Sequence, residues 1–213
     1  MPMNRPAFRF SFALLGAIAL AGIVARAPAQ VKSNPELGTT TAGRYPFTAA
    51  DVHFITGMIS HHAQALVMAR WAPTHDAGSS VRVLCERIIN AQTDEIALMS
   101  RWLTVRNQPV PEAKPGPMKM VMNGVEMDML MPGMLSDDQM MQLDAAKGIE
   151  FDRRFLRFMI QHHQGAMTMV NDLFATEGAG QDEAIFKFAS DVYADQGTEI
   201  DRMQKMLILL LGK

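Results

Sequence analysis

The sequence predicts an all-α protein, an antiparallel four-helix bundle made from two duplicated helical hairpins with a methionine-rich, β-hairpin-like insertion between them. Three observations predict it. The chain matches itself when Asp51 is laid on Asp152, apolar residues recur at helical spacing in both copies, and the segment between them combines repeated prolines with an Asn-Gly pair. Two hairpins with one apolar stripe each bury those stripes against one another.

The chain of 213 residues is 48 % hydrophobic and 20 % charged, with a net charge of -2, which gives enough apolar surface for a sizeable core. No block of Lys or Arg creates a field for polyphosphate, so nucleic acid is not an expected partner. Arg5 and Arg9 precede an apolar run from Phe10 to Val24, and Ala27-Pro28-Ala29 follows. That is a secretory signal pattern over 1–29, cut after Ala29, which places the mature chain in the periplasm or outside the cell. The run is shorter than the roughly 20 residues of a spanning helix. No membrane insertion is therefore expected after cleavage, and no Cys near the junction offers a lipid anchor. Residues 30–47 form an extended N-terminal segment, and 48–213 form the helical domain: a first repeat over 48–108, the insertion and a short helix over 109–148, and a second repeat over 149–213.

In the first repeat, Thr48-Ala-Ala-Asp51 resembles a capping box with an acidic third position. Phe54, Met58, Ala65 and Met68 then recur at helical spacing until Pro73. The companion helix spans about Ser80 to Thr104 and stops before Pro109 and Pro111. Cys85 lies among Val81, Leu84, Ile88 and Ile89 and reads as a small core residue; as the single Cys it forms no intramolecular disulfide. His53 and His75 have no counterpart in the second copy and are expected on the surface near helix ends.

Between the repeats, Pro109, Pro111, Pro115, Pro117 and Pro132 exclude a long helix. Within them "MKMVMNGVEMDML" centres on Asn123-Gly124, the signature of a two-residue type I′ hairpin turn. Closing it on Met122 and Val125 sets Met120 opposite Met127 and Met118 opposite Met129 on one face, with Lys119 across from Asp128. Thioether sulfur is a soft ligand suited to Cu(I) and, unlike thiol, forms no disulfide in an oxidising compartment. The same face serves equally well as flexible apolar filler docked on the bundle. Ser136-Asp-Asp-Gln139 then opens a short helix ending near Gly148, on which Met140 and Met141 are core or docking residues. A long helix follows Gly148 and ends near Gly178, and the last runs from about Asp182 to Leu211.

The repeat carries its chemistry in two histidine pairs. "DVHFITGMISHHAQALVMA" falls on "DRRFLRFMIQHHQGAMTMV", so His61-His62 answers His162-His163, each with a methionine, Met58 or Met159, three positions earlier. Downstream, Gln92 and Glu95 answer Gln196 and Glu199. His61 and His162 lie in step with the apolar stripes, and successive residues point about 100° apart, so each pair spans the stripe and its edge. A buried imidazole needs partners for both ring nitrogens, at a cost of about 1–3 kcal/mol otherwise. Gln92, Glu95, Gln196 and Glu199 are the expected partners. A metal-free polar layer satisfies this pattern, and a metal site favoured by two related pairs meeting near one axis satisfies it too.

The doubled motif MIxHHxxAxxM, each copy followed by QxxEIxxM, resembles the domain-of-unknown-function 305 family over about Thr48 to Leu211. The resemblance implies an exported, ferritin-like helical protein associated with copper. The first copy has Ala63-Gln64-Ala65 where the second has the family's glycine, Gly165, which leaves open whether the first helix packs as closely. The leading expectation is a copper-binding protein without turnover, holding Cu(I) or Cu(II) through His61, His62, His162, His163, Met58, Met159, Met118, Met120, Met127 and Met129, with Gln92, Glu95, Gln196 and Glu199 orienting the imidazoles. A metal-dependent oxidase on a ferritin-like bundle is the first alternative, although its Glu-x-x-His motif has Met58 and Met159 where carboxylates belong. A metal-free interaction module is the second. The sequence names no protein partner.

Overall fold

The computed structural model describes residues 47–122 and 125–211. The expected signal peptide over 1–29 and the Asn123-Gly124 turn lie outside the described residues. The fold is mostly helical, with helices α1 (Ala49–Arg70), α2 (Ser79–Val105), α3 (Asp137–Asp144), α4 (Gly148–Ala175) and α5 (Glu183–Leu211), and a two-stranded sheet of β1 (Met118–Met122) and β2 (Val125–Met129). Helix α1 packs on α2 and α4 packs on α5, and the two hairpins meet through α1 and α4. Among the described residues no helix is long and apolar enough to cross a membrane.

The capping box is complete at α1: the Thr48 side chain accepts from the Asp51 amide, and Asp51 accepts back from the Thr48 amide at 2.7 Å. The same carboxylate has a second task, because its other oxygen accepts from the Gly180 amide at 2.7 Å. Its repeat counterpart Asp152, on α4, accepts from the Gly78 amide through both oxygens at 3.1 Å. Each hairpin thus uses the aspartate at the start of its first helix to hold the connecting loop of the other. Burial raises the pKa of Asp152, against the Gly78 bond and Arg82, which lower it.

Two apolar clusters form the core. One gathers Phe54, Ile55, Met58, Ile59, Met99, Trp102, Val170 and Phe188; the other gathers Ala65, Met68, Leu84, Ile88, Phe151, Phe155, Met159 and Met203. On α1 the first ends at Ile59 and the second begins at Ala65, and on α4 the order reverses, so both histidine pairs lie in the layer between them. Cys85 is buried in the second cluster, and burial, with Asp152 and Glu86 adding, pushes its thiol up to about 12.

The strands pair in the expected register, Met118 with Met129, Lys119 with Asp128, Met120 with Met127 and Met122 with Val125. The ion pair departs from it: Lys119 Nζ sits 3.5 Å from Glu126, diagonally across the ladder, and not on Asp128. A long flexible side chain reaches diagonal neighbours as readily as direct ones. His75 is a further correction. It is buried at 4 % exposure, with Nε2 2.8 Å from the Asp144 carbonyl and its ring stacked on Trp71, which ties the α1–α2 loop to the end of α3. Met140 is half-buried against the second cluster, whereas Met141 is exposed.

A strap over residues 131–135 leaves the sheet and crosses α4 at Gly165. An added Cβ at Gly165 would lie 2.0 Å from the Pro132 carbonyl oxygen and 2.5 Å from Gly133 Cα, so only a glycine admits the crossing. At the matching position of α1, Gln64 grips the strap, donating to the Leu135 carbonyl at 2.9 Å and accepting from its amide at 2.7 Å. The difference between the two copies at this position is therefore set by the strap.

Candidate metal centre

His61, His62, His162 and His163 are all 0 % exposed. The rings of His61 and His162 face each other at 3.7 Å between centroids, inclined by 36°. Within each pair the centroids are further apart, 6.2 Å for His61–His62 and 6.3 Å for His162–His163. The inner histidines of the two pairs are thus in contact, and the outer ones lie beside their own companion helices.

The partners are of one kind. His61 Nε2 lies 3.0 Å from the Pro132 carbonyl of the strap, and His162 Nε2 lies 3.0 Å from the main-chain carbonyl of His61. His62 Nε2 lies 2.7 Å from Glu95 and His163 Nε2 lies 2.7 Å from Glu199. Carbonyl and carboxylate oxygens only accept, so in each ring Nε2 carries the hydrogen and, in the neutral form, Nδ1 carries a lone pair. Among the described residues all four Nδ1 atoms are buried without a hydrogen-bond partner, and so are the Oε1 atoms of Gln92 and Gln196.

Burial disfavours charge on the inner pair. Burial lowers the pKa of His61 well below the ordinary value, His62 and then His163 repel its proton further, and the Pro132 bond opposes this. His162 is lowered by burial first and then by His61, His163 and His62. At the outer edge, burial raises the pKa of Asp195, with Glu95, Asp191 and Glu199 adding to it.

The tautomers of these rings are the ones a metal ligand would need. Ligating histidines characteristically donate their second ring N–H to a carboxylate or carbonyl, which fixes the tautomer and aims the free nitrogen. Four bare Nδ1 atoms would otherwise cost about 1–3 kcal/mol each. The donors form a layer and not a closed cage: among the described residues no three His, Cys, Asp or Glu side chains converge to hold an ion.

The remaining sequence candidates are dispersed. Met58 and Met159 are fully buried, one in each apolar cluster. Gln92 and Gln196 are buried but make no hydrogen bond to an imidazole, whereas Glu95 and Glu199 do. On the ribbon the pairing puts the thioethers on one face, but their burial differs: Met118 packs against the first cluster, Met129 is half-buried, and Met127 is 50 % exposed. Met120 is paired with Met127 by register, and its side chain lies outside the described residues. Sequence reasoning missed the strap as a partner of His61. Its traces were Pro132-Gly133 and the glycine that follows the second histidine pair.

The family model described as "Domain of unknown function (DUF305)" matches residues 51–207. No curated protein matches the chain. Solved structures do. A DUF305 protein from Streptomyces coelicolor is 26 % identical, with a TM-score of 0.64 over 76 % of this chain and 93 % of its own. A DUF305 fragment from Deinococcus radiodurans is 28 % identical, with a TM-score of 0.62 over 76 % and 97 %. CopM in its Cu(I)-bound form is 29 % identical, with a TM-score of 0.54 over 76 % and 96 %. CopM has also been solved in Cu(II)-bound and Ag-bound forms. The chain belongs to the DUF305 family.

Proposed function

We propose that this is an exported copper-binding protein that sequesters or hands over the ion without chemical turnover, and that its four long helices form a ferritin-like antiparallel four-helix bundle. The observation that carries the reading is the set of four buried imidazoles whose Nε2 atoms are engaged and whose Nδ1 lone pairs are free. Copper is the cargo. Imidazole suits Cu(II), thioether suits Cu(I), and the solved copper forms of CopM support the choice of ion. Export rests on the pattern of residues 1–29.

In this role Glu95 and Glu199 hold the outer imidazoles in one tautomer, the Pro132 and His61 carbonyls do the same for the inner pair, and the flanking apolar clusters exclude water. A layer of separately oriented donors suits uptake and release better than a closed cage would. The alternative di-iron oxidase lacks its carboxylates, since the third position before each pair holds Met58 or Met159.

Copper titration of the mature chain against a competing chelator, with His61, His62, His162 and His163 intact or all replaced by Ala, tests the proposal. Uptake that is lost in the variant supports it. Equal uptake by both proteins removes the imidazoles as ligands, and no uptake by either favours a metal-free polar layer.

A further inference from the structure

A cluster of thioether side chains lies one helical turn from the imidazole layer and contains no histidine. Gly57 is buried in the interior of α1, where glycine costs about 1 kcal/mol relative to alanine. The reason is on its open face. A methyl group added there would lie 2.7 Å from Met131 Sδ, 3.0 Å from Met118 Sδ and 3.4 Å from Met169 Cε. Three thioether side chains, from the strap, from β1 and from α4, thus close on the space that a side chain at position 57 would fill. The Ser60 hydroxyl holds the approach to β1 against the same helix, its one hydrogen shared between the Lys114 carbonyl at 3.1 Å and the Gly116 carbonyl at 3.0 Å.

Two of the three methionines, Met131 and Met169, border a cavity. It has a volume of 380 Å³, and Met129, His53 and Asp172 also lie on its wall. His53 is exposed at the rim, and among the described residues no Lys or Arg lines the cavity, while Asp172 is its one carboxylate. The wall therefore carries no cation that would oppose a positive ion.

We infer that Met118, Met131 and Met169 form an all-thioether site over Gly57 for a soft monovalent cation of the Cu(I) and Ag(I) class. Thioether sulfur is neutral and soft, which selects such ions over hard divalent ones. The site deepens the copper-binding reading and rests on it only for the nature of the ion. Met131 also connects the two sites through the chain, because the next residue, Pro132, supplies the carbonyl that holds His61. From Gly57 to His61 the rise along α1 is about 6 Å. An ion taken up from the cavity by sulfur is thereby delivered next to the imidazole layer.

Ag(I) is the probe, added to full-length mature protein carrying ¹³C at the methionine ε-methyl groups. The expected result is a concerted shift of the Met118, Met131 and Met169 methyl resonances on binding. The variant with all three replaced by Leu, which keeps side-chain volume and apolarity, is expected to lose one equivalent of Ag(I). The variant with the four histidines replaced by Ala is expected to retain that equivalent and the three methyl shifts, which separates this site from the imidazole layer. Unmoved resonances of these three methyl groups at saturating Ag(I), or undiminished Ag(I) uptake by the Leu variant, would overturn the proposal.

Discussion

His61 and His162 lie ring against ring with their free nitrogens buried, so a proton on either would face its partner with little solvent to screen it. Their folded pKa values are depressed below the ordinary 6.5. The sign follows from proton uptake. Below about 6.5 the unfolded chain binds protons that the folded chain refuses, so stability present at neutral pH is lost as pH falls. Urea unfolding between pH 8 and 5 is expected to show stability falling below about pH 6.5 by as much as about 1.4 kcal/mol per pH unit for each of the two rings. A variant with both replaced by Phe is expected to lose that part of the slope. The outer rings make a different prediction. Glu95→Gln and Glu199→Gln keep a hydrogen-bond acceptor but remove the charge behind the imidazole. Each is expected to weaken copper binding by about 10–100-fold at unchanged stoichiometry, as read by chelator competition. At this scale the sequence already held the histidines and their glutamates, because the repeat placed them at corresponding positions. It concealed the partner of His61, since a main-chain carbonyl has no residue signature.

Among the elements, the strap over residues 131–135 was the least legible and now ranks among the most consequential. Its path is set by Gly133, whose φ of 76° is left-handed, and by the close approach to Gly165. Gly165→Ala would press a methyl into the main chain of Pro132 and Gly133, groups that cannot swing aside. Urea unfolding is expected to show a loss of about 1–3 kcal/mol or more. Gly57→Ala meets only the flexible ends of methionines, so a smaller change is expected in the same measurement. The helices were legible from their 3.6-residue period, and their ends from caps such as Thr48 and Ser136, both of which form complete capping boxes. The ribbon register was legible because a two-residue turn leaves one way to pair the flanking residues. Which methionines stay exposed was not, because that depends on where the ribbon docks, and docking is set by contacts distant in sequence such as Ser60 with Lys114 and Gly116.

Over the whole molecule, the polar layer divides the apolar core in two, and Asp51 and Asp152 lock the hairpins together from opposite ends. The sequence set Asp51 against Asp152 and His61-His62 against His162-His163, and in the structure the two inner histidines meet. Hydrophobic pattern alone did not reveal that each aspartate reaches into the other repeat. On the proposed function, an ion bound between α1 and α4 stabilises the folded chain to the extent that it prefers it to the unfolded one, whose histidines and methionines also bind copper. Copper at one hundred times its dissociation constant is therefore expected to add at most about 2.7 kcal/mol to stability. Calorimetry is expected to show this as a rise in Tm that disappears on adding chelator. The most direct measurement is imidazole ¹⁵N NMR of the mature protein during titration with Ag(I), a diamagnetic stand-in for Cu(I). The expected result is a shift of the Nδ1 resonances of His61, His62, His162 and His163 while their Nε2 atoms stay protonated. Nδ1 resonances unmoved at saturating Ag(I), or coordination through Nε2, would contradict a metal-binding layer built on the free Nδ1 lone pairs.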